Sequence, residues 1–175
     1  LNIDLLTLNG SKMYGPKGTG VLYVKKCVSL TPLIYGGGQE GGLRGGTENV
    51  SGIVGFAKAL ELAEKERPRE TKRLRALRDA CIGKILKAIP QTILNGHPLL
   101  RLANNVNVSF AGIDAETLLK VLSEQKIYVS AGSACTANSV MISYVLQALH
   151  IPPLLAQGTI RITLGRSTTK KDVDT

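Results

Sequence analysis

From Gln91 onward the chain alternates short apolar strands with short helices, and this alternation is the feature that most constrains its fold. Asp114 is the expected N-cap of one helix, because its carboxylate can accept from free N–H groups of the first turn. Strands and helices interleaved in this way predict a small α/β domain. The predicted elements are strands at 92–94, 105–110, 127–129 and 159–164, and helices at 114–124 and 143–150.

The first half of the chain shows a different pattern of predicted strands and helices. An apolar opening strand, Leu1–Leu8, reads as buried, and a second strand follows at Val21–Val24. Apolar residues at helical spacing predict a helix from Val50 to about Lys65, capped by Thr47, Glu48 or Asn49. Pro68 is expected to end it, because proline lacks the N–H that a helix interior requires. A second helix is then expected over 70–89.

Length and composition narrow the class of protein. The chain has 175 residues, of which 43% are hydrophobic, enough for one or two small domains with a real core. It contains no apolar run near the roughly 20 residues of a membrane span and no signal-peptide pattern. Its three cysteines fit neither a disulfide framework nor a CxxC metal site, so a cytoplasmic location is expected. Both ends look cut, which suggests a piece of a longer polypeptide.

The net charge of +9 is concentrated in one segment of the chain. Residues 64–89 hold nine Lys and Arg against four Asp and Glu, which is more than half of the excess. Aromatic residues make up only 4% of the chain and do not interleave with the basic ones, so base stacking is not favoured. We therefore interpret the basic segment as a solvated helix face or a docking surface for an acidic partner, and expect no nucleic-acid binding.

Residues 130–139 form a run of small residues with Cys135 near its centre. Such a backbone bends easily and can offer the sulfur to a reactant. Burial of the thiol in a small apolar pocket is the alternative, since free cysteines are often buried. Cys81 lies in the apolar stripe of its predicted helix and is expected to be core, whereas Cys27 reads as incidental.

The loop after the first strand, residues 9–20, places Asn9, Ser11 and Lys12 where they could meet a small anionic ligand. An ordinary hairpin with a surface lysine is the alternative. The glycines do not spell a nucleotide P-loop. A second loop, residues 36–46, contains seven glycines, and Thr47 directly after it stands at the expected helix start, where a phosphate would be favoured.

Arg161 alternates with Ile160 and Ile162, which places it on the opposite face of its strand. In a cleft such an arginine would bind a carboxylate, and on an open face it would be solvated. His97 and His150 have no partner nearby in sequence, so both are assigned to structure, and no metal site is predicted.

Taken together, these motifs resemble the cysteine desulfurases of the NifS and IscS type. The motifs are Asn-Gly-Ser-Lys-Met-Tyr-Gly-Pro-Lys-Gly, Gly-Gly-Gly-Gln-Glu with Arg-Gly-Gly-Thr-Glu-Asn, Ser-Ala-Gly-Ser-Ala-Cys-Thr, and Ile-Arg-Ile-Thr-Leu-Gly-Arg. The resemblance covers essentially all of the chain and implies an α/β pyridoxal-phosphate enzyme of fold type I, aminotransferase class V. It implies that 1–50 ends the large cofactor domain, 51–90 holds connecting helices and 91–175 is the small domain.

The resemblance also implies roles for individual residues. Lys12 matches the lysine that bonds covalently to pyridoxal phosphate, and Cys135 the cysteine that accepts sulfur as a persulfide. Arg161 matches the arginine that holds the carboxylate of the substrate, L-cysteine, which is converted to L-alanine. Asn9, Gly10 and Ser11 match the segment that contacts the cofactor phosphate. Thr47 matches a threonine lent to the cofactor of the neighbouring subunit, so a homodimer is implied.

Further expectations follow from the same resemblance. The nine-position separation of Cys135 and Tyr144 matches the longer-loop group, which implies sulfur delivery to an iron–sulfur scaffold protein and makes Cys135 a candidate transient cluster ligand. The family usually has Ser and His at positions 9 and 11, where this chain has Asn9 and Ser11, and often Arg where it has Gly41. The fragment alone is expected to be inactive. A selenocysteine lyase, another class V enzyme and a non-catalytic docking module remain the alternatives.

Overall fold

The computed structural model describes residues 2–131 and 143–175, which fold into two compact units. The first unit is Leu1–Pro68 and the second is Arg69–Thr175. Within the described residues, no helix is both long enough and apolar enough to cross a membrane.

The first unit contains an antiparallel pair of strands, β1 (Leu5–Asn9) and β2 (Gly20–Val24). A 3-10 turn, Gly10–Met13, follows β1 directly, and a second one lies at Gln39–Gly42. Both strands were predicted, but the burial predicted for the first is wrong, because Leu5 is 46% exposed. The described residues provide only a two-stranded sheet here, so its apolar side chains are not covered by a second layer.

Helix α1 runs without interruption from Val50 to Ala88, with Pro68 inside it. The prediction of two helices separated at Pro68 is therefore wrong. Proline removes one helical hydrogen bond, but it does not end a helix when strong helix formers flank it. Ion pairs between Arg67 and Glu64 (2.7 Å) and between Arg73 and Glu70 (2.9 Å) support the turns on either side. Residues 51–88 of the expected connecting segment 51–90 thus belong to one helix, which contributes to the first unit up to Pro68 and to the second unit from Arg69.

The second unit is built on a four-stranded antiparallel sheet with the order β3-β4-β6-β5. Its strands are β3 (Thr92–Leu94), β4 (Asn105–Phe110), β5 (Ser130–Ala131) and β6 (Thr159–Thr163). In the central pair, Asn107 lies opposite Arg161 and Ser109 opposite Thr159. The predictions of β3, β4 and β6 are confirmed.

The strand predicted at 127–129 is wrong by a few residues, since β5 begins only at Ser130. After helix α2 (Ala115–Glu124), Lys126 adopts a left-handed conformation with φ 63°. The Ile127 N–H then donates back to the Leu122 carbonyl at 2.9 Å. This helix-terminating turn uses the residues that the apolar pattern had assigned to the strand.

Four helices complete the second unit within the described residues, each started by residues suited to that position. Asp114 caps α2 by accepting from the Thr117 N–H at 2.8 Å, as predicted. This bond lowers the pKa of the Asp114 carboxyl. The remaining helices are α3 (Tyr144–Ala148), capped by Ser143, α4 (Pro153–Ala156), and α5 (Lys170–Asp174), which begins with a capping box at Thr169.

One face of the sheet forms the hydrophobic core of this unit. Cys81 is only 8% exposed and belongs to that core, which confirms its predicted role. Burial raises the pKa of the Cys81 thiol, an effect that nearby Lys84 partly opposes. Cys27, in contrast, is exposed. The buried members of the cluster are Cys81, Ile82, Val106, Val108, Phe110, Ala115 and Ile160.

Two arginines of α1 tie the helix to the loops of the second unit. Arg78 is 2% exposed and donates to the Leu102 carbonyl at 3.0 Å, while it pairs with Asp79 at 2.7 Å. Arg73 donates to the carbonyls of Thr168 (2.6 Å) and Gly165 (3.0 Å), in the loop after β6. Charge-assisted bonds of this kind fix loops that have no regular structure of their own.

The burial of Arg78 gives a test of the second unit. We expect Arg78→Met to lower the free energy of unfolding by about 2 to 4 kcal/mol, because the Leu102 carbonyl loses its donor and Asp79 its partner. Arg75→Met on the exposed side of the same helix is the control and should change it by less than about 0.5 kcal/mol. Chemical denaturation measures both, and equal losses would contradict the assignment.

Candidate functional site

Lys12 lies in the 3-10 turn that directly follows β1. The Asn9 side-chain oxygen caps this turn, accepting from the N–H and from the hydroxyl of Ser11, each at 3.0 Å. Lys12 itself is exposed, and its ammonium group has no hydrogen bond or ion pair among the described residues. The turn therefore presents a free amine next to a fixed polar pair.

Gly10 is the close-packed centre of this loop. Its N–H donates to the Thr19 carbonyl and its own carbonyl accepts from Gly15, each at 2.9 Å. A Cβ at Gly10 would lie 2.3 Å from the Thr19 hydroxyl oxygen and 3.1 Å from the ring of buried Phe56. The loop that carries Lys12 is therefore folded tightly around a residue with no side chain.

The first turns of α1 pack against the same loop through glycines. A Cβ at Gly55 would lie 2.6 Å from the Pro16 ring, and one at Gly52 would lie 2.8 Å from the Thr19 methyl. Because these positions have no side chain, the helix can approach the loop closely. The Lys12 turn is thus held by the helix as well as by its own strands.

The start of α1 and the glycine-rich segment lie in the same unit. Asn49 caps the helix, since its side-chain oxygen accepts from the Gly52 N–H at 3.0 Å. Of the three residues predicted to cap this helix, Asn49 is therefore the one that does so. Thr47, two residues earlier, is exposed and makes no side-chain hydrogen bond among the described residues. Within the glycine-rich segment, a Cβ at Gly45 would lie 2.7 Å from the Gly36 Cα, so the chain there passes very close to itself.

Arg161 lies in the second unit, on the polar face of β6. It lines a cavity of about 390 Å³ together with Asn95, His97, Arg101, Asn107 and Tyr144. Its guanidinium group makes no hydrogen bond or ion pair with any described residue. Of the two environments left open by the sequence, the structure therefore places Arg161 in a cleft. Such a group is available to bind an anion.

The same face of the sheet carries a buried polar network that the sequence pattern did not predict. Asn95 is 2% exposed and donates to Asn107 and to Ser109, each at 2.8 Å. Ser109 contacts Thr159 at 2.6 Å, and Thr159 donates to the Leu155 carbonyl at 3.1 Å. The alternation of polar and apolar residues in 105–110 and 159–163 was the signal that could have predicted a polar face.

Cys135 lies outside the described residues, as does most of the small-residue run around it. His97 accepts at Nδ1 from the backbone N–H groups of Leu99 (3.0 Å) and Leu100 (2.8 Å), in agreement with the structural role expected for it. No cluster of three or more His, Cys, Asp or Glu side chains that could hold a metal lies within the described residues.

Comparison with known proteins identifies the family. The model of the family described as Aminotransferase class-V matches residues 1–175. The chain belongs to the class V aminotransferase family. Among its relatives, this class V chain is 52% identical over 174 residues to "Cysteine desulfurase IscS" of Methanosarcina thermophila. The match covers 99% of the chain and 43% of that relative, so the chain spans less than half of its length.

Solved structures agree with the family assignment. One, a "NifS-like protein", superimposes on 99% of this class V chain with a TM-score of 0.88 and 37% identity, over 44% of its own length. Another, described as "SspA in complex with cysteine", matches 93% of the chain with a TM-score of 0.66 and 36% identity, again over 44% of its length. The mixed α/β fold is thus that of the NifS-like, class V aminotransferases.

The packing around Gly10 can be tested in this class V chain. We expect Gly10→Ala to lower the free energy of unfolding by about 2 kcal/mol or more, because its methyl group would overlap the Thr19 hydroxyl and force the loop to shift. Gly38→Ala is the matched control, since a Cβ there meets nothing within 4 Å. Thermal and chemical denaturation of both variants measures the difference, and a tolerated Gly10→Ala would contradict the close packing.

Proposed function

We propose that the full-length protein is a pyridoxal-phosphate-dependent cysteine desulfurase that converts L-cysteine to L-alanine and leaves a persulfide on Cys135. The observation that carries the proposal is the 52% identity to the cysteine desulfurase of Methanosarcina thermophila over 99% of this chain. A matching solved structure is described as a complex with cysteine, which supports the choice of substrate. The chain covers only 43% of the desulfurase it matches, so the proposal concerns the whole protein.

The residues of the first unit suit pyridoxal phosphate. Lys12 is exposed, and its amine has no partner among residues 2–131 and 143–175, as a covalent bond to the cofactor aldehyde requires. The Ser11 hydroxyl donates to Asn9, whereas the Asn9 amide N–H₂ has no acceptor among the described residues. Asn9 would therefore donate to the phosphate through this amide, and Gly10 and Ser11, whose N–H groups are bonded within the loop, would border the phosphate in the same turn. Thr47 would contact the phosphate of the neighbouring subunit. The bound cofactor supplies an electron sink for the electrons released at the substrate Cα.

The remaining steps belong to this chain's own side chains. Arg161 would bind the substrate carboxylate, since it lines a cavity and its guanidinium group has no partner among the described residues. The Cys135 thiolate would attack the sulfur of the substrate cysteine, forming an S–S bond as the substrate C–S bond breaks. The products are alanine and the Cys135 persulfide, so L-cysteine and one thiol account for all atoms. A run of small residues around Cys135 suits the movement needed to deliver the sulfur.

The proposal extends to partners. Thr47 contributes to a neighbouring cofactor only if the protein is a homodimer. The length of the segment from Cys135 to Tyr144 supports transfer of the persulfide sulfur to an acceptor such as an iron–sulfur scaffold protein, with Cys135 as a transient cluster ligand. This chemistry suits a reducing compartment, and we infer the cytoplasm, where free thiols persist.

Substitution of Lys12 and Cys135 in the full-length protein tests the proposal. We expect Lys12→Ala to abolish the visible absorbance of the lysine-bound cofactor and to lower the rate of alanine formation by about 10³-fold or more. Cys135→Ser should retain the cofactor absorbance but form no persulfide, because a hydroxyl cannot hold the sulfur. Alanine release and persulfide labelling are the measurements.

Two matched variants serve as controls. Lys17→Ala, in the same loop, and Cys27→Ser, at an exposed thiol, should leave both readouts unchanged. Persulfide on Cys135→Ser would contradict the role of Cys135. Activity of the wild-type protein with selenocysteine and none with cysteine would change the assignment to a selenocysteine lyase. Inactivity with both substrates would favour a non-catalytic docking module.

A further inference from the structure

We propose that Asn107 binds the substrate carboxylate alongside Arg161, and that Asn95 is the positioning residue that orients it. The inference rests on the proposed function, because it takes the amino-acid substrate from there. Asn107, Arg161 and Asn95 all line the same cavity of the second unit. The proposal adds to the desulfurase site a residue on β4 that no sequence motif pointed to.

The register of the sheet brings the two donors together. Asn107 on β4 lies directly opposite Arg161 on β6. Side chains directly opposite one another in an antiparallel pair share one face, with Cβ atoms about 4.5 to 5.5 Å apart. Val106 and Val108, on either side of Asn107, are buried in the core on the other face. The Asn107 amide and the Arg161 guanidinium therefore enter the cavity as neighbours.

A chain of hydrogen bonds fixes which way the Asn107 amide faces. A backbone carbonyl can only accept, so Thr159 must donate its hydroxyl hydrogen to Leu155. Thr159 then accepts from Ser109 across their 2.6 Å contact, which leaves the Ser109 oxygen to accept from an amide N–H of Asn95. We call this chain of hydrogen bonds, from Asn95 through Ser109 and Thr159 to Leu155, the relay. Because Leu155 can only accept, its carbonyl sets which group donates at every step of the relay.

The relay determines the orientation of Asn95 and, through it, that of Asn107. With its N–H₂ turned to Ser109, Asn95 also donates to the Asn107 side-chain oxygen at 2.8 Å. Reversal of both amides would forfeit the bond from Thr159 to Leu155 and leave that carbonyl without the hydroxyl donor. The Asn107 oxygen is thereby occupied. Its N–H₂ group has no partner among the described residues and is left for a ligand.

The chemistry of the cavity matches a small carboxylate. Arg161 and the Asn107 N–H₂ can each donate to one of the two carboxylate oxygens. Among the described residues that line the cavity, two are arginines and none is acidic. Its volume of about 390 Å³ lies in the range of small-molecule sites. The side-chain oxygen of Asn95, another residue that lines the cavity, is buried and accepts no hydrogen bond from the described part of the chain.

Asn107→Asp in the full-length holoenzyme tests the proposal sharply. The substitution keeps the shape and the oxygen that accepts from Asn95, and it replaces only the N–H₂ donor with a negative oxygen. We expect the KM for L-cysteine to rise at least about tenfold with kcat changed by less than about threefold, because a bond to the charged carboxylate is lost. Should this variant fail to fold, Asn107→Ala is measured in its place.

A ligand pair separates carboxylate recognition from a general structural effect. Calorimetric binding of L-alanine should weaken by a similar factor in Asn107→Asp, whereas binding of L-alaninamide, which lacks the carboxylate charge, should change by less than about threefold. Equal losses for both ligands would overturn the proposal. Absence of any desulfurase activity in the wild-type protein would instead refute the proposed function, and alanine binding would still report on Asn107.

Asn105→Asp is the matched control, since Asn105 shares the strand face and the cavity but lies opposite Thr163. It adds the same charge about 7 Å further along the strand, so we expect its effect on KM to be several times smaller. An effect as large as that of Asn107→Asp would overturn the proposal.

The positioning role of Asn95 has its own test. Thr159→Val removes the hydroxyl that donates to Leu155, so the donors and acceptors of the relay are no longer fixed in one direction. We expect the KM for L-cysteine to rise by less than in Asn107→Asp while kcat stays within about threefold, because the Asn107 amide can then face either way. An unchanged KM in the folded variant would remove Asn95 and the relay from the proposal.

Discussion

The antiparallel pairing of β4 with β6 is the constraint on which the second unit depends. Five residue pairs from Asn105↔Thr163 to Ser109↔Thr159 fix its register. Because side chains alternate along a strand, this one register sends Val106, Val108 and Ile160 to the core and Asn107 and Arg161 to the opposite face. A slip by one residue would exchange the two faces and bury the arginine among aliphatic side chains. The core and the cavity are thus two results of the same pairing.

The first unit depends on close backbone packing rather than on a covered apolar sheet. Gly10, Gly52 and Gly55 lie where a Cβ would overlap Thr19, Asn49 or Pro16. These contacts hold the Lys12 turn against α1, although the Lys12 amine makes no hydrogen bond or ion pair with any residue that the structure describes. The role proposed for Lys12 requires this combination, because the backbone of such a lysine must be fixed in place while its nitrogen stays available for a bond. The glycines of the loop therefore suit the proposed role through their lack of a side chain.

Local sequence signals predicted much of this structure. The strands β3, β4 and β6 and the cap of α2 by Asp114 are confirmed, since each depends on alternation or on a single capping side chain. Predictions failed where distant or competing contacts decide. Pro68 does not end α1, whose flanking turns are supported by ion pairs, and the apolar stretch 127–129 is taken up by the turn after α2. Neither competition can be weighed from a residue pattern alone.

The sequence by itself determined the family, the motif that contains Lys12, and the face of β6 on which Arg161 lies. Residue order and spacing carry this information, because strand alternation and short motifs are local properties. Only the tertiary structure decided that Asn107 stands beside Arg161 and that its amide group is oriented by Asn95. Asn107 and Asn95 each lie more than 50 positions before Arg161 in the chain. Strand pairing brings them together, and a series of hydrogen bonds that ends at the Leu155 carbonyl orients the amide. Both depend on geometry that exists only once the sheet has formed.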